Sequence, residues 1–512
     1  MLNTQRQHDL RSVLIIGGGY SGLFTGAMLA KEGVHVTVLE KNKIPGGGLQ
    51  CFPRCGTVFE TGMHIVGGFQ KGGTLQRICN YLGIADQVNV LPTDSDAAYT
   101  IAFKEDNAIY HFPRGRKATT AFLKERFPHE AAGIEAYVEE LYALVDELSL
   151  LHLRDESHSI LDKSDGFLSP ASDFIARHIT DAHLQHLLAH FSPLYGGARD
   201  QTPAYIHAVV SVLFIEGMAQ FVGGSQQMAD SLMDIIIRHG GEVVCGEAVA
   251  HIAMSDGLIT GVTTMSGRQF NADQYISAVH PCVLLEMLPK NALPEAFCRR
   301  LDCLPNSTSC FCVFIRFKRN AQPYVNRPFF LYDTAEDVWN LDEYSESSFP
   351  KTALCFMPPT SVDCKWADRM IVNCPMPFSA VDAWKDSRWG HRGEDYKNWK
   401  QRLTEKVLQR LEEYYPGIRD RIECMFSSSP LTIRDFYGTK DGAMYGYQHD
   451  SHNILISQIS PKTKIPNLFL TGQNISLHGI CGVPLAAILT IEAMLGMGYI
   501  TRKINEQQKQ SI

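Results

Sequence analysis

The chain has 512 residues, of which 45% are hydrophobic and 20% charged, and its net charge is −8. That length supports two or three domains with sizeable cores, and the composition is ordinary for a soluble globular protein. The acidic balance argues against broad nucleic-acid binding, which needs a basic face, but leaves room for a local basic patch that meets lipid headgroups.

The first elements in chain order are the most informative. Val13 to Ile16 is a continuous apolar run suited to a buried parallel strand. Gly17, Gly19 and Gly22 follow with the spacing G-x-G-x-x-G, then a helix is expected over Leu23 to Glu32, stopped by Gly33. Val34 to Leu39 reads as a second strand, with Glu40 at its tip. In this order the first glycine makes the turn and the second lets a pyrophosphate approach the backbone. The third lets helix and strand pack closely. The helix N-terminus offers free N–H groups and partial positive charge to phosphates, and Glu40 can accept hydrogen bonds from a ribose. The unit therefore predicts dinucleotide binding.

Further along, Thr119 to Leu153 is expected to be helical, with Ile134, Val138, Leu141, Val145 and Leu148 at three- and four-residue steps. A second helical block is expected over Phe174 to Ala189. The segment from Gly240 to Pro281 reads as short strands with turns at Asp256-Gly257 and Ser266-Gly267. Strands are expected at Ser309 to Lys318, Ala353 to Met357 and Met370 to Cys374. Trp399, Leu403, Val407, Leu411 and Tyr415 mark an amphipathic helix stopped by Pro416-Gly417. The last elements are the strand "NLFLTG", a glycine-rich turn and a helix from about Pro484 to Leu495. No repeat or low-complexity tract appears.

The fourteen cysteines form no framework and are expected to be reduced thiols of a cytosolic protein. "CFPRC" at Cys51 to Cys55 lacks a second pair, so no metal is expected. The apolar run at the start is broken by glycine and leads into the nucleotide motif, unlike a signal peptide. No stretch reaches the ~20 apolar residues of a membrane span. The richest, from His207, is too short and contains Glu216.

Four stretches, "PGGGLQCF" (Pro45 to Phe52), "FETGMHIVGG" (Phe59 to Gly68), "GGEVVCGEAVAHI" and "NLFLTGQNISLHGICGVPLAAI", resemble the FAD-dependent phytoene desaturase and retinol saturase family within the amine-oxidase-like flavoproteins. The resemblance is nearest to retinol saturases, through TGMHIVG at Thr61 to Gly67 and LTGQ at Leu470 to Gln473. It departs from the family at Gly48, Leu49 and Gln50, where saturases carry Cys, Cys and His. It implies an α/β fold: a Rossmann-like FAD-binding domain of the glutathione-reductase type, with an inserted α+β substrate domain and a helical region. The discontinuous FAD domain is expected over 1–70, 205–290 and 425–512. A helical insertion or lid is expected over 71–204, and substrate-domain strands and helix over 291–424.

The same resemblance assigns roles. Gly17, Gly19 and Gly22 would face the FAD pyrophosphate, and Glu40 the adenosine ribose. Gly46 and Gly47 would continue the cradle, and Val249 would meet the adenine through its main chain. Gly472 and Gln473 would approach the pyrophosphate or ribityl chain. Gly482 and Val483 would sit at a helix start beneath the flavin ring. His64 is the candidate proton donor, against the alternative of a structural histidine. Tyr437 and Tyr445 are candidates for the substrate channel. His478, Arg434 and Lys440 are weaker candidates. The implied activity is saturation of a C=C bond in a hydrophobic isoprenoid or polyene. The alternatives are a desaturase, an amine oxidase and a non-enzymatic lipid-binding escort. Peripheral membrane contact around Thr119 to Ala189 is expected, because such a substrate has to leave a bilayer. Only one nucleotide fingerprint is visible, so the electron donor is left open.

Overall fold

In the computed structural model, which describes residues 10–156, 159 and 162–510, the opening apolar run is the strand Ser12–Ile16. It pairs in parallel with His35–Glu40 on one side and Gln274–Ser277 on the other. Glu242–Cys245 extends the sheet beyond His35–Glu40, and Leu468–Leu470 extends it beyond Gln274–Ser277. Val13 to Ile16 are all buried, because helices cover both faces of a parallel sheet and leave no polar side. The helix Tyr20–Lys31 is buried over its first eleven residues save Ser21, and it packs between the sheet and the helices Gln226–Arg238 and Gly479–Leu495.

A second sheet has the strand order Ile422–Ser428, Ser309–Phe317, Arg369–Met376, Thr352–Phe356, Phe329–Tyr332, Tyr99–Phe103 and Ala108–Phe112. The last two strands lie inside the segment expected to be a helical insertion. Their apolar residues alternate too weakly to be seen, since Tyr99–Phe103 is buried on both faces. The helical expectation for Thr119 to Leu153 is realised as two helices, Arg116–Arg126 and Ala131–Asp146, separated at Pro128. The amphipathic helix Gly393–Tyr414 lays Trp399, Leu403, Val407 and Leu411 into the core of the second sheet.

Two expectations are corrected. The helix expected from Pro484 begins at Gly479, Pro484 lies inside it, and a further helix, Tyr499–Gln510, follows it. A proline there has no N–H to offer the carbonyl of Ile480. That carbonyl instead accepts the Tyr20 hydroxyl at 2.8 Å, which ties the two cofactor-domain helices together. The cysteines are not all reduced thiols: Cys55 and Cys424 form a disulfide across 369 positions. It links the turn of the hairpin Cys51–Arg54/Thr57–Glu60 to the edge strand Ile422–Ser428, a proximity that spacing along the chain does not reveal. Among the described residues there is no metal-binding cluster, and no single helix is long and apolar enough to cross a membrane.

Candidate active site

One cavity of about 1030 Å³ opens where the parallel sheet meets the second sheet. Gly17 and Gly19 line it at the end of the first strand. Gly17 has φ +103°, and a Cβ there would meet Val279 at 2.9 Å, so only glycine makes this turn. Gly22 does not face the cavity. Its Cα hydrogen side abuts the Gly17 carbonyl, where an added Cβ would lie 1.9 Å from the oxygen. It therefore sets the helix tight against the strand and aims the helix N-terminus at the opening.

Glu40 is buried, and its carboxylate accepts the N–H groups of Gly18 and Asn42, each at 2.8 Å. Burial pushes its pKa up, and the two amide hydrogen bonds oppose that. It lines the cavity with Glu247, Ala248 and Val249. Gly47, Gly472, Gln473 and Val483 also line it. The Gln473 amide donates to the Met444 carbonyl at 3.3 Å, which turns the segment after Gly472 across the opening. Gly46 and Gly482 do not line the cavity and lie behind its wall. Gly46 donates its N–H to the Gly18 carbonyl at 2.7 Å and packs on Ala229, bracing the glycine turn. Gly482 lies beyond the helix start, against the Leu477 backbone, where a Cβ would come within 2.7 Å.

His64 lines the cavity and is 3% exposed. Its Nδ1 lies 3.1 Å from Oε2 of Glu60, which is fully buried, and its ring tilts against Phe356 with centroids 4.8 Å apart. Among the described residues, His64 Nε2 has no hydrogen-bond partner, and neither does Oδ1 of Asn373, which also lines the cavity. Glu60 was not picked out from the sequence. The four-residue step in "ETGMH" could have drawn attention to it, but only the fold shows that the step brings the two side chains together.

Tyr437 and Tyr445 both line the cavity. The Tyr437 hydroxyl fills the space a Gly62 side chain would need, and burial pushes its pKa up. The Tyr445 hydroxyl donates to the Pro193 carbonyl at 2.9 Å, and its ring packs on His478, with centroids 4.9 Å apart. His478 lies behind this tyrosine, and burial lowers its pKa to about 3. Arg434 and Lys440 are engaged elsewhere, with Asp435 and Asp302. Phe52, Phe314 and Phe426 supply an aromatic wall that periodicity did not reveal; Phe314 and Phe426 stack at 5.0 Å.

These residues fit FAD. The glycine turn has a helix N-terminus behind it and Glu40 beside it, and a Cβ at Gly19 would meet its nearest atom at 3.9 Å, an ordinary contact distance. The pattern of the flavin containing amine oxidoreductases matches residues 20–488. Human all-trans-retinol 13,14-reductase is 26% identical over 529 residues, covering 94% of this chain and 85% of that protein. Prolycopene isomerase 2 from an Oncidium hybrid cultivar is 24% identical over 453 residues, covering 85% of this chain and 74% of its own. Among solved structures, putrescine oxidase shares the fold with a TM-score of 0.63 at 14% identity, covering 98% of this chain and 99% of that one. The chain thus belongs to the flavin containing amine oxidoreductase family and is an FAD-dependent oxidoreductase.

Proposed function

We propose that this enzyme saturates a C=C bond of a hydrophobic isoprenoid or polyene of retinoid or carotenoid type. The observation that carries the reading is His64, held by a buried carboxylate with Nε2 unpartnered among the described residues, in an otherwise largely apolar part of the cavity. Support comes from relatives whose names are all-trans-retinol 13,14-reductase and prolycopene isomerase. Bound FAD supplies hydride chemistry at its ring.

The chain's own part is to bind an apolar chain, exclude water and deliver a proton. Phe52, Phe314, Phe356 and Phe426 give the surface on which a polyene lies. Glu60 fixes the His64 ring through Nδ1, leaving Nε2 as the atom that carries a proton to the second alkene carbon. We further place the enzyme at a membrane surface by peripheral association, because its substrate partitions into lipid.

The test is anaerobic incubation of photoreduced enzyme with a panel of retinoids and carotenoids, read by mass spectrometry. A product two hydrogens heavier is expected. A product two hydrogens lighter, formed only by oxidised enzyme, would make it a desaturase. Unchanged mass with altered retention would make it an isomerase.

A further inference from the structure

Among the described residues, six lysines and arginines but two acids line the cavity. Arg54, Arg392, Lys397 and Lys400 line it together with Trp389 and Tyr396. The acids that line it among the described residues are Glu40 and Glu247. Both are already satisfied, Glu40 by two backbone amides and Glu247 by Ser266 and Arg268. Lys397 pairs with Glu394, and Arg392 pairs with Asp435.

Arg54 and Lys400 have no carboxylate partner among the described residues. The Arg54 guanidinium rests 4.3 Å from the Phe426 ring centroid. The Lys400 ammonium donates to the Ser427 carbonyl and lies 5.6 Å from the Tyr396 ring. Arg392 is 5.2 Å from the same ring, its side chain is 5% exposed, and its Nε is buried with no partner among the described residues. Burial, with the charges of Arg392 and Arg54 added, lowers the Lys400 pKa to about 8. Lys400, half-buried beside an aromatic ring and two arginines, is relieved by an anion, and the exposed Arg54 can meet the same anion from the solvent side.

We propose that Arg54 and Lys400 form a subsite for the carboxylate end of an apolar acid, with the Phe426 and Tyr396 rings as its floor. The substrates of this cavity then include polyene acids, whose chain runs along the aromatic wall. The carboxylate part stands on the cation cluster alone; the polyene part rests on the function proposed above.

The test is calorimetric titration of the oxidised holoenzyme with two acid–ester pairs, retinoic acid with methyl retinoate and palmitic acid with methyl palmitate. The acid is expected to bind ten- to a hundredfold tighter than its ester, on the order of one or two charge-assisted hydrogen bonds. Lys400→Met and Arg54→Met are each expected to remove most of that preference while ester affinity and FAD content stay the same. A palmitate preference without binding of either retinoid keeps the subsite and refutes the polyene reading. Equal acid and ester affinities, a preference unchanged in both variants, or no binding by either pair would overturn the subsite.

Discussion

Alanine at Gly19 and at Gly22 should separate binding of the cofactor from integrity of the fold. Gly19 has φ −73° and ψ 180°, open to any residue, and its added Cβ meets nothing nearer than the Gly47 Cα at 3.9 Å. Alanine there costs about 1 kcal/mol or less, the difference between glycine and alanine as a helix cap. Yet that Cβ enters the cavity at the helix N-terminus, the space a diphosphate must occupy. Displacing so closely seated a group costs about 3 kcal/mol, roughly a hundredfold in affinity. Gly22→Ala acts on the fold. Its Cβ lies 1.9 Å from the Gly17 carbonyl oxygen, against about 3.3 Å for a close C···O approach, so strand and helix must part by roughly 1.4 Å. Both sides are backbone, so the cost lies at or above the ~1–3 kcal/mol typical of overpacking, a large share of a domain's ~5–15 kcal/mol. The assays are flavin absorbance per protein after desalting and thermal melting of the apoprotein. Gly19→Ala should melt near wild type and lose FAD, whereas Gly22→Ala should melt early. Stoichiometric FAD in Gly19→Ala, or wild-type melting of Gly22→Ala, would refute the reasoning.

Glu40→Gln should weaken FAD binding by about 1–3 kcal/mol, because one of the two amides now faces an NH₂ group; titration of apoprotein with FAD checks it, and unchanged affinity would contradict it. His64→Ala should slow alkene reduction by roughly 10²–10⁴ with FAD retained. Glu60→Gln should lower kcat, leave KM alone, and have no further effect in the His64→Ala background; additive losses would make Glu60 merely structural. Acid should destabilise the fold through His190 and His207, whose pKa values burial lowers to about 3. Their neutral forms contribute stability that is complete above about pH 6.5 and is lost as pH falls towards 3, by up to about 1.4 kcal/mol per pH unit each. Melting curves from pH 7.5 to 4.5 read this. The slope should flatten in His207→Gln, which can still meet the Tyr137 and Tyr195 hydroxyls, and a flat wild-type profile would sink the idea.

What was legible in the sequence was local. The strand, glycine turn, helix and acid from Val13 to Glu40 lie within 28 residues, and each step has a chemical reason that can be read without a fold. Gly46 and Gly482 show the limit: a glycine demanded by backbone packing looks the same in sequence as one demanded by a ligand. Pro484 points to a later start for the helix Gly479–Leu495, because a proline normally opens a helix, and the remote Tyr20 hydroxyl that takes up the carbonyl freed by Pro484 cannot be read from the chain. Glu60, the phenylalanine wall and the cations Arg54, Arg392 and Lys400 were missed for one reason. They come from separate segments and meet only when the second sheet is laid against the first.

The parallel sheet draws on residues 12–16, 35–40, 242–245, 274–277 and 468–470. During synthesis, its first two strands must wait some two hundred residues for their next neighbour and more than four hundred for the last. Until then the edge of Gln274–Ser277 is unpaired, and the helix Gly479–Leu495 that closes the cavity is missing. Ordering by such distant pairings is slow, and the nascent sheet edge is a template for wrong partners. FAD therefore cannot be captured in its finished cradle before Leu468–Leu470 and Gly479–Leu495 have docked. Holoenzyme yield in a cell is then set by what shelters that edge, and by how much free flavin is at hand when the last strand docks.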